Sequence, residues 1–372
     1  MPLRFLRLAC FTLTMGTMAS GCSLTRGQQQ RLYQLSPGVS VYFEKNDEQE
    51  WGLRLERNGA AFLANAMPIT IEILGPGEAI RTLGAGYDSF RSGDGAFIAR
   101  GSLQYDGARF VVHDTWSMEA GALRLDRKLE VEGNAAGGFM SAITLSYHKA
   151  ATRDSVKLFA PGMIYGTTDH LPPAAIGGRD STDFIRIRED RLPAPLFGAN
   201  FDDGTSLTLL NSEPDARTTR EDSHDLHART LIDERFRFGA IGADFDEENP
   251  AFGYWFPGSE GATTYKGHTY PAGEMATRKV RAWARRYHPI DDGLEHEYQL
   301  SFRFGSHDAF SSYYTETWRW AWSTLQPKLI FHDVDAIRRV VLDMLGAAGQ
   351  THGAISGIPF GSPATKGVAP GR

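Results

Sequence analysis

The sequence predicts a mainly β fold: a large antiparallel β-supersandwich followed by two C-terminal helices that begin an incomplete helical domain. Three observations predict it. From about residue 31 apolar and polar residues alternate in short runs bounded by Gly, Asn, Asp or Pro. More than a dozen such runs follow over roughly 270 residues with no helical period between them, a pattern of antiparallel sheets packed face to face. At Ser306 the apolar period lengthens from two to about four.

The elements follow in order. "MPLRFLR" supplies two arginines and "LACFTLTMGTMA" a short apolar run, too short to span a bilayer as a permanent helix. Residues 1–21 therefore read as a lipoprotein-type signal peptide. "ASGC" resembles a bacterial lipobox, although Ala19 stands where such boxes usually carry Leu. On that resemblance Cys22 is the lipidation site, and the mature chain is exported and lipid-anchored to the bacterial membrane. Which side of the envelope it faces, periplasm or cell surface, stays open. Cys10 falls in the leader, so of the two cysteines at most one remains, and no intrachain disulfide or cysteine metal site is expected. Residues 22–30 form a polar tether. A net charge of -6 leaves no basic footprint for nucleic acid.

Strands are expected at "VSVYFEK", "WGLRLER", "ITIEIL", "RFVVHDTWSME", "LRLDRKLEVEG", "SAITLSY", "DFIRIRE", "SLTLLNS", "RFRFGAIGADF", "AFGYWF", "KVRAWARRY" and "EYQLSFRFG". They form one domain over 31–305, because no linker interrupts them. Over 306–346, Phe310, Tyr314, Trp318 and Trp322 make a stripe at four-residue spacing and Pro327 closes that helix. Asp333 caps a second helix whose apolar face is Val334, Ile337, Val340, Val341, Met344 and Leu345, ended by Gly346 and Gly349. The tail, 347–372, has little periodicity and reads as disordered.

Several constellations could carry chemistry. Arg188, Glu189, Asp190 and Arg191 stand together at a strand end, and forked guanidinium donors beside carboxylates bind sugar hydroxyls or a uronate. An acidic glycan is therefore among the partners they would suit. Tyr165 lies in a long loop with Asp169 and His170, and Trp255 lies in "GYWF"; aromatic faces stack on the apolar faces of sugars. Asp222, His224, Asp225 and His227 fall within six residues, but no further cluster completes a metal site, so no metal or other cofactor is expected. Asp202 and Asp203 read as turn residues. No phosphate loop, GxSxG or triad can be assigned, and the catalytic residues stay unknown.

The order of parts, with "EYQLSFRFGSHDAF" running into "TWRWAWSTLQPKL", resembles the N-terminal part of six-hairpin (α/α)6-barrel glycosidase-like proteins. In those proteins a galactose-mutarotase-like supersandwich precedes a helical barrel. The resemblance implies a carbohydrate-associated protein. It also implies catalytic carboxylates supplied by the barrel, which needs on the order of 300 residues. Here 67 residues follow Gly305 (372 − 305), so the chain is expected to be truncated and to lack that barrel, leaving a missing or separate helical domain as a partner. Two other readings stay open: a complete mutarotase-type sugar epimerase, which needs a His acid and a Glu base facing one another, and a non-catalytic glycan-binding or structural lipoprotein.

Overall fold

A computed structural model describes residues 29–36, 38–93, 95–168, 184–214, 230–245, 249–259, 285–352 and 355–357. They fall into two compact units, one extending to Leu325 and the other beginning at Gln326.

The first unit is the β-sandwich. One sheet runs in the order Gln29–Ser36, Val39–Lys45, Trp51–Arg57, Ala60–Asn65, Ala135–Tyr147, Ala251–Phe256, Ala240–Asp244 and Phe184–Arg188. The long strand Ala135–Tyr147 also pairs with Ile69–Leu74 and Arg285–Ile290. The other sheet runs Ile164–Gly166, Lys157–Ala160, Leu196–Asn200, Thr205–Leu210, Glu295–Ser306, Ala122–Glu132, Ala108–Glu119, Ala96–Tyr105 and Ser89–Gly93. Among the described strands every pairing but one is antiparallel; Thr230–Ile232 runs parallel to Arg285–Ile290.

Period-two alternation explains why these segments face as they do. In Ala122–Glu132 the side chains of Leu123, Leu125, Arg127, Leu129 and Val131 are buried, whereas Arg124, Asp126, Lys128 and Glu130 between them are not. The inward residues of both sheets merge into one apolar core, with Phe43, Phe110, Trp116, Phe139, Ile143 and Leu300 among its buried members. Burial of such surface, at roughly 25 cal/mol per Å², is what holds the layers together.

The aromatic helix α1 (Phe310–Leu325) belongs to this unit, lying on the strands Leu196–Asn200 and Thr205–Leu210. Its buried residues are Tyr313, Thr317, Trp320 and Ala321, none of them a member of the four-spaced stripe. A step of four residues turns a 3.6-residue helix by about 40° too far, so such a stripe winds around the axis. Phe310, Tyr314 and Trp318 pack at the edge of the contact, while Trp322 has wound off it and is 54% exposed.

In the second unit, α2 (Val334–Ala348) begins where the sequence places it: the Asp333 carboxylate accepts from the amides of Asp335 and Ala336, both at 3.0 Å. Its apolar residues Val334, Ile337, Val340, Val341, Met344 and Leu345 are all exposed. A two-stranded ribbon, Gln350–His352 with Ile355–Gly357, follows.

Candidate functional site

The charged cluster 188–191 does not stay together. The strand Phe184–Arg188 ends in a single 3-10 turn over Glu189–Arg191, which sends neighbouring side chains in different directions. Arg188 forks onto Asp190, with Nε to Oδ1 at 2.9 Å and Nη2 to Oδ2 at 2.5 Å, and its guanidinium lies 4.2 Å over the Phe238 ring. Glu189 continues the inward phase of Ile185 and Ile187 and is buried. There it accepts hydrogen bonds from the Gly239 amide at 2.6 Å, Asn211 Nδ2 at 2.7 Å and Tyr254 Oη at 3.1 Å. Burial pushes its carboxyl above the ordinary range, and the three donors restrain that shift. Arg191 is exposed. Trp255 is only 4% exposed, with Arg186 4.1 Å over its ring, so packing occupies it.

The turn after Arg191 meets the turn before Tyr165, which lies on the short edge strand Ile164–Gly166 and not in a long loop, because it pairs with Phe159. A β-carbon on Gly162 would lie in ordinary van der Waals contact with Pro193, 3.4 Å from its Cγ. The Gly162 amide donates to Tyr165 Oη at 3.0 Å, which fixes the phenol while leaving the residue 56% exposed. Tyr165 stands 5.4 Å from the Phe159 ring and 6.4 Å from Tyr314, at 86° to it. Phe159 in turn lies 5.9 Å from Trp318, and Tyr314 lies 5.7 Å from Phe310. An edge strand and α1 thus build a surface platform of partly exposed aromatic rings around a buried Phe159.

A second feature is a cleft of about 550 Å³ beside the strand Glu295–Ser306. Its polar lining comes from Glu213, Glu234, Arg237, Glu295, Glu297 and Gln299, with the rings of Phe256 and Tyr298 below. Behind those rings runs a buried hydrogen-bond chain. His288 Nε2 lies 2.7 Å from the Phe236 carbonyl, His288 Nδ1 2.8 Å from His296 Nε2, and His296 Nδ1 2.8 Å from Ser141 Oγ. The carbonyl can only accept, so His288 carries its proton on Nε2. His296 then donates through Nε2 and accepts from Ser141. All four ring nitrogens are engaged, and burial holds both imidazoles below their ordinary pKa, His288 at about 4.

Sequence reasoning missed this chain, although a signal was present. His296 sits in the inward phase of Tyr298, Leu300 and Phe302, where an apolar residue is expected. Cys22, Asp169, His170 and the run Asp222–Asp225 with His227 lie outside the described residues. Asp203 is a turn residue whose carboxylate accepts from Lys149 Nζ at 2.7 Å, Tyr147 Oη at 3.0 Å and the Thr205 amide at 2.9 Å.

No family model matches the sequence, and no curated protein matches it. The solved structures that it resembles include the Slr1438 protein from Synechocystis sp. PCC 6803. That match is 9% identical, covers 76% of this chain and 97% of that one, and has a TM-score of 0.40. At this level the likeness carries nothing about function.

Proposed function

We propose that the chain is a carbohydrate-binding sandwich module of an exported, glycosidase-like lipoprotein, and that it holds glycan on the platform of Tyr165, Tyr314 and Trp318. The observation that supports this reading is Tyr165, a half-exposed ring pinned by the Gly162 amide and backed by further rings. Fixed aromatic faces offer large contact area to the apolar face of a sugar at little entropic cost. Arg191, exposed on the adjoining turn, would add polar contacts at the rim. A mutarotase-type epimerase would need an acid and a base open to the sugar. Glu189, His288 and His296 are buried with their polar atoms engaged, so we prefer binding to epimerisation. Anchoring through a diacylated Cys22 completes the reading.

Affinity electrophoresis of the full chain in gels containing soluble polysaccharides tests it. Retardation by at least one glycan is expected, and Tyr165→Ala or Tyr314→Ala should weaken it at least tenfold with the urea midpoint of Tyr165→Ala unchanged. Absence of retardation by every glycan, or retardation of both variants equal to that of the unsubstituted chain, overturns the proposal.

A further inference from the structure

The strand Glu295–Ser306 is paired on both sides along only part of its length. Ala122–Glu132 covers it from Glu295 to Phe302, whereas Thr205–Leu210 reaches it only from Ser301 to Ser306. Among the described residues, 295–300 therefore have one open edge. The phase of that edge follows from one hydrogen bond: the Val131 amide donates to the Leu294 carbonyl at 2.9 Å. In an antiparallel ladder bonding alternates, so residues 296, 298 and 300 bond Ala122–Glu132. The N–H and C=O groups of Glu295, Glu297 and Gln299 then turn to the other side, where the next member of the series, Ser301, meets Leu210. These same three residues line the cleft.

We propose that this open edge is a docking groove for an extended, basic segment of a partner protein, which joins the sheet as an added strand. Six strand residues span about 20 Å, and three donor–acceptor sets recur along it every two residues, about 6.8 Å. An extended peptide backbone carries the same repeat, and unpaired edges are templates for such addition. Charge selects the occupant. Glu213, Glu234, Glu295 and Glu297 outnumber Arg237 and Lys128, the latter already bridged to Glu295 at 2.7 Å. A second copy of this chain would set the acidic edge against itself, and like charges directly opposite destabilise a pair. Lysines or arginines on the added strand would meet these carboxylates instead.

Fluorescence anisotropy with the full chain tests the groove. The probes are a labelled octapeptide alternating Lys and Val, its Glu-Val counterpart, and the Lys-Val peptide N-methylated at alternate residues. The Lys-Val probe should bind saturably and slow hydrogen exchange of the 295–300 amides, while the other two should bind at least tenfold more weakly. The exposed Glu297→Lys and Glu213→Lys variants should each weaken the Lys-Val probe about tenfold. Equal binding of the N-methylated probe, no binding, or indifference to both substitutions overturns the proposal. So does a concentration-dependent dimer that protects 295–300 without peptide, which would assign the edge to a second copy.

Discussion

Arg127 and Asp114 form a forked ion pair inside the sandwich, with Arg127 Nε to Asp114 Oδ1 at 2.8 Å and Nη2 to Oδ2 at 2.6 Å. Neither is exposed. The remaining polar atoms are also satisfied: Arg127 donates to the Ala142 carbonyl and the Pro68 carbonyl, both at 2.9 Å, and Tyr87 donates to Asp114. Trp116 Nε1 closes the network on Tyr87 Oη at 3.1 Å. The pair thus ties two neighbouring strands of one sheet to the strand Ala135–Tyr147 of the other.

Removing one partner strands the other charge in a dry core, which costs about 3–5 kcal/mol. Arg127→Ala should lower the stability of the sandwich by that amount in urea unfolding. The double variant Arg127→Met with Asp114→Leu should cost less than the single one, because it leaves no buried charge behind. A single variant that costs under about 1 kcal/mol would show that water reaches the site and screens Asp114.

Much of this arrangement is legible in the sequence once the alternation is treated as a rule with exceptions. Arg127 occupies the inward phase between Leu125 and Leu129, Asp114 that between Val112 and Trp116, and Glu189 that after Ile187. Each breaks the pattern at a buried position, the signature of a polar group with a partner. What alternation cannot give is the partner, since pairing depends on the register between strands, which sets Arg127 directly opposite Asp114. It also cannot tell that the turn at Glu189–Arg191 would divide the four-residue cluster, with Glu189 buried and Arg191 exposed. The platform was half legible: Tyr165 stood out as a loop aromatic, but that it pairs across a short hairpin with Phe159 was not, and Tyr314 comes from a distant segment. The two helices were plain from their period and from the Asp333 cap, whereas the buried face of α1 was misplaced by treating a four-residue step as a full turn.

Acid should weaken the fold through the buried imidazoles. Both have folded-state pKa values below the unfolded value of about 6.5, so the unfolded chain takes up protons first as pH falls. Their contribution is complete above about pH 6.5 and is lost from there down toward pH 4, at about 1.4 kcal/mol per unit for each histidine. Glu189, raised by burial, acts in the opposite sense near the carboxylate range and softens the lower end. Urea midpoints should therefore hold between pH 7.5 and about 6.5 and fall steadily from there to pH 5, and His288→Gln should reduce that slope by about half. An unchanged slope in the variant would place the acid sensitivity elsewhere.

The attachment of α1 rests on a glycine. Gly198 lies beneath Tyr313, where a β-carbon would come within 1.8 Å of the phenol oxygen. That oxygen donates to the Leu207 carbonyl at 2.8 Å and lies 3.0 Å from Thr208 Oγ1, so the ring is locked onto the sheet. Gly198→Ala should force Tyr313 out and loosen the helix, at a cost of about 3 kcal/mol, toward the upper end for overpacking. Tyr313→Phe keeps the ring and loses only its hydrogen bonds, which should cost about 1 kcal/mol. Combining the two removes the closest clash but leaves a 3.0 Å approach to ring carbon Cζ, so the pair should be less destabilised than the sum of the single changes. Urea unfolding followed by tryptophan fluorescence checks this directly, since Trp318 and Trp320 pack in the same cluster. Additive costs in the double variant would mean that Gly198 and Tyr313 do not act on one another, and that α1 is held by its other buried residues.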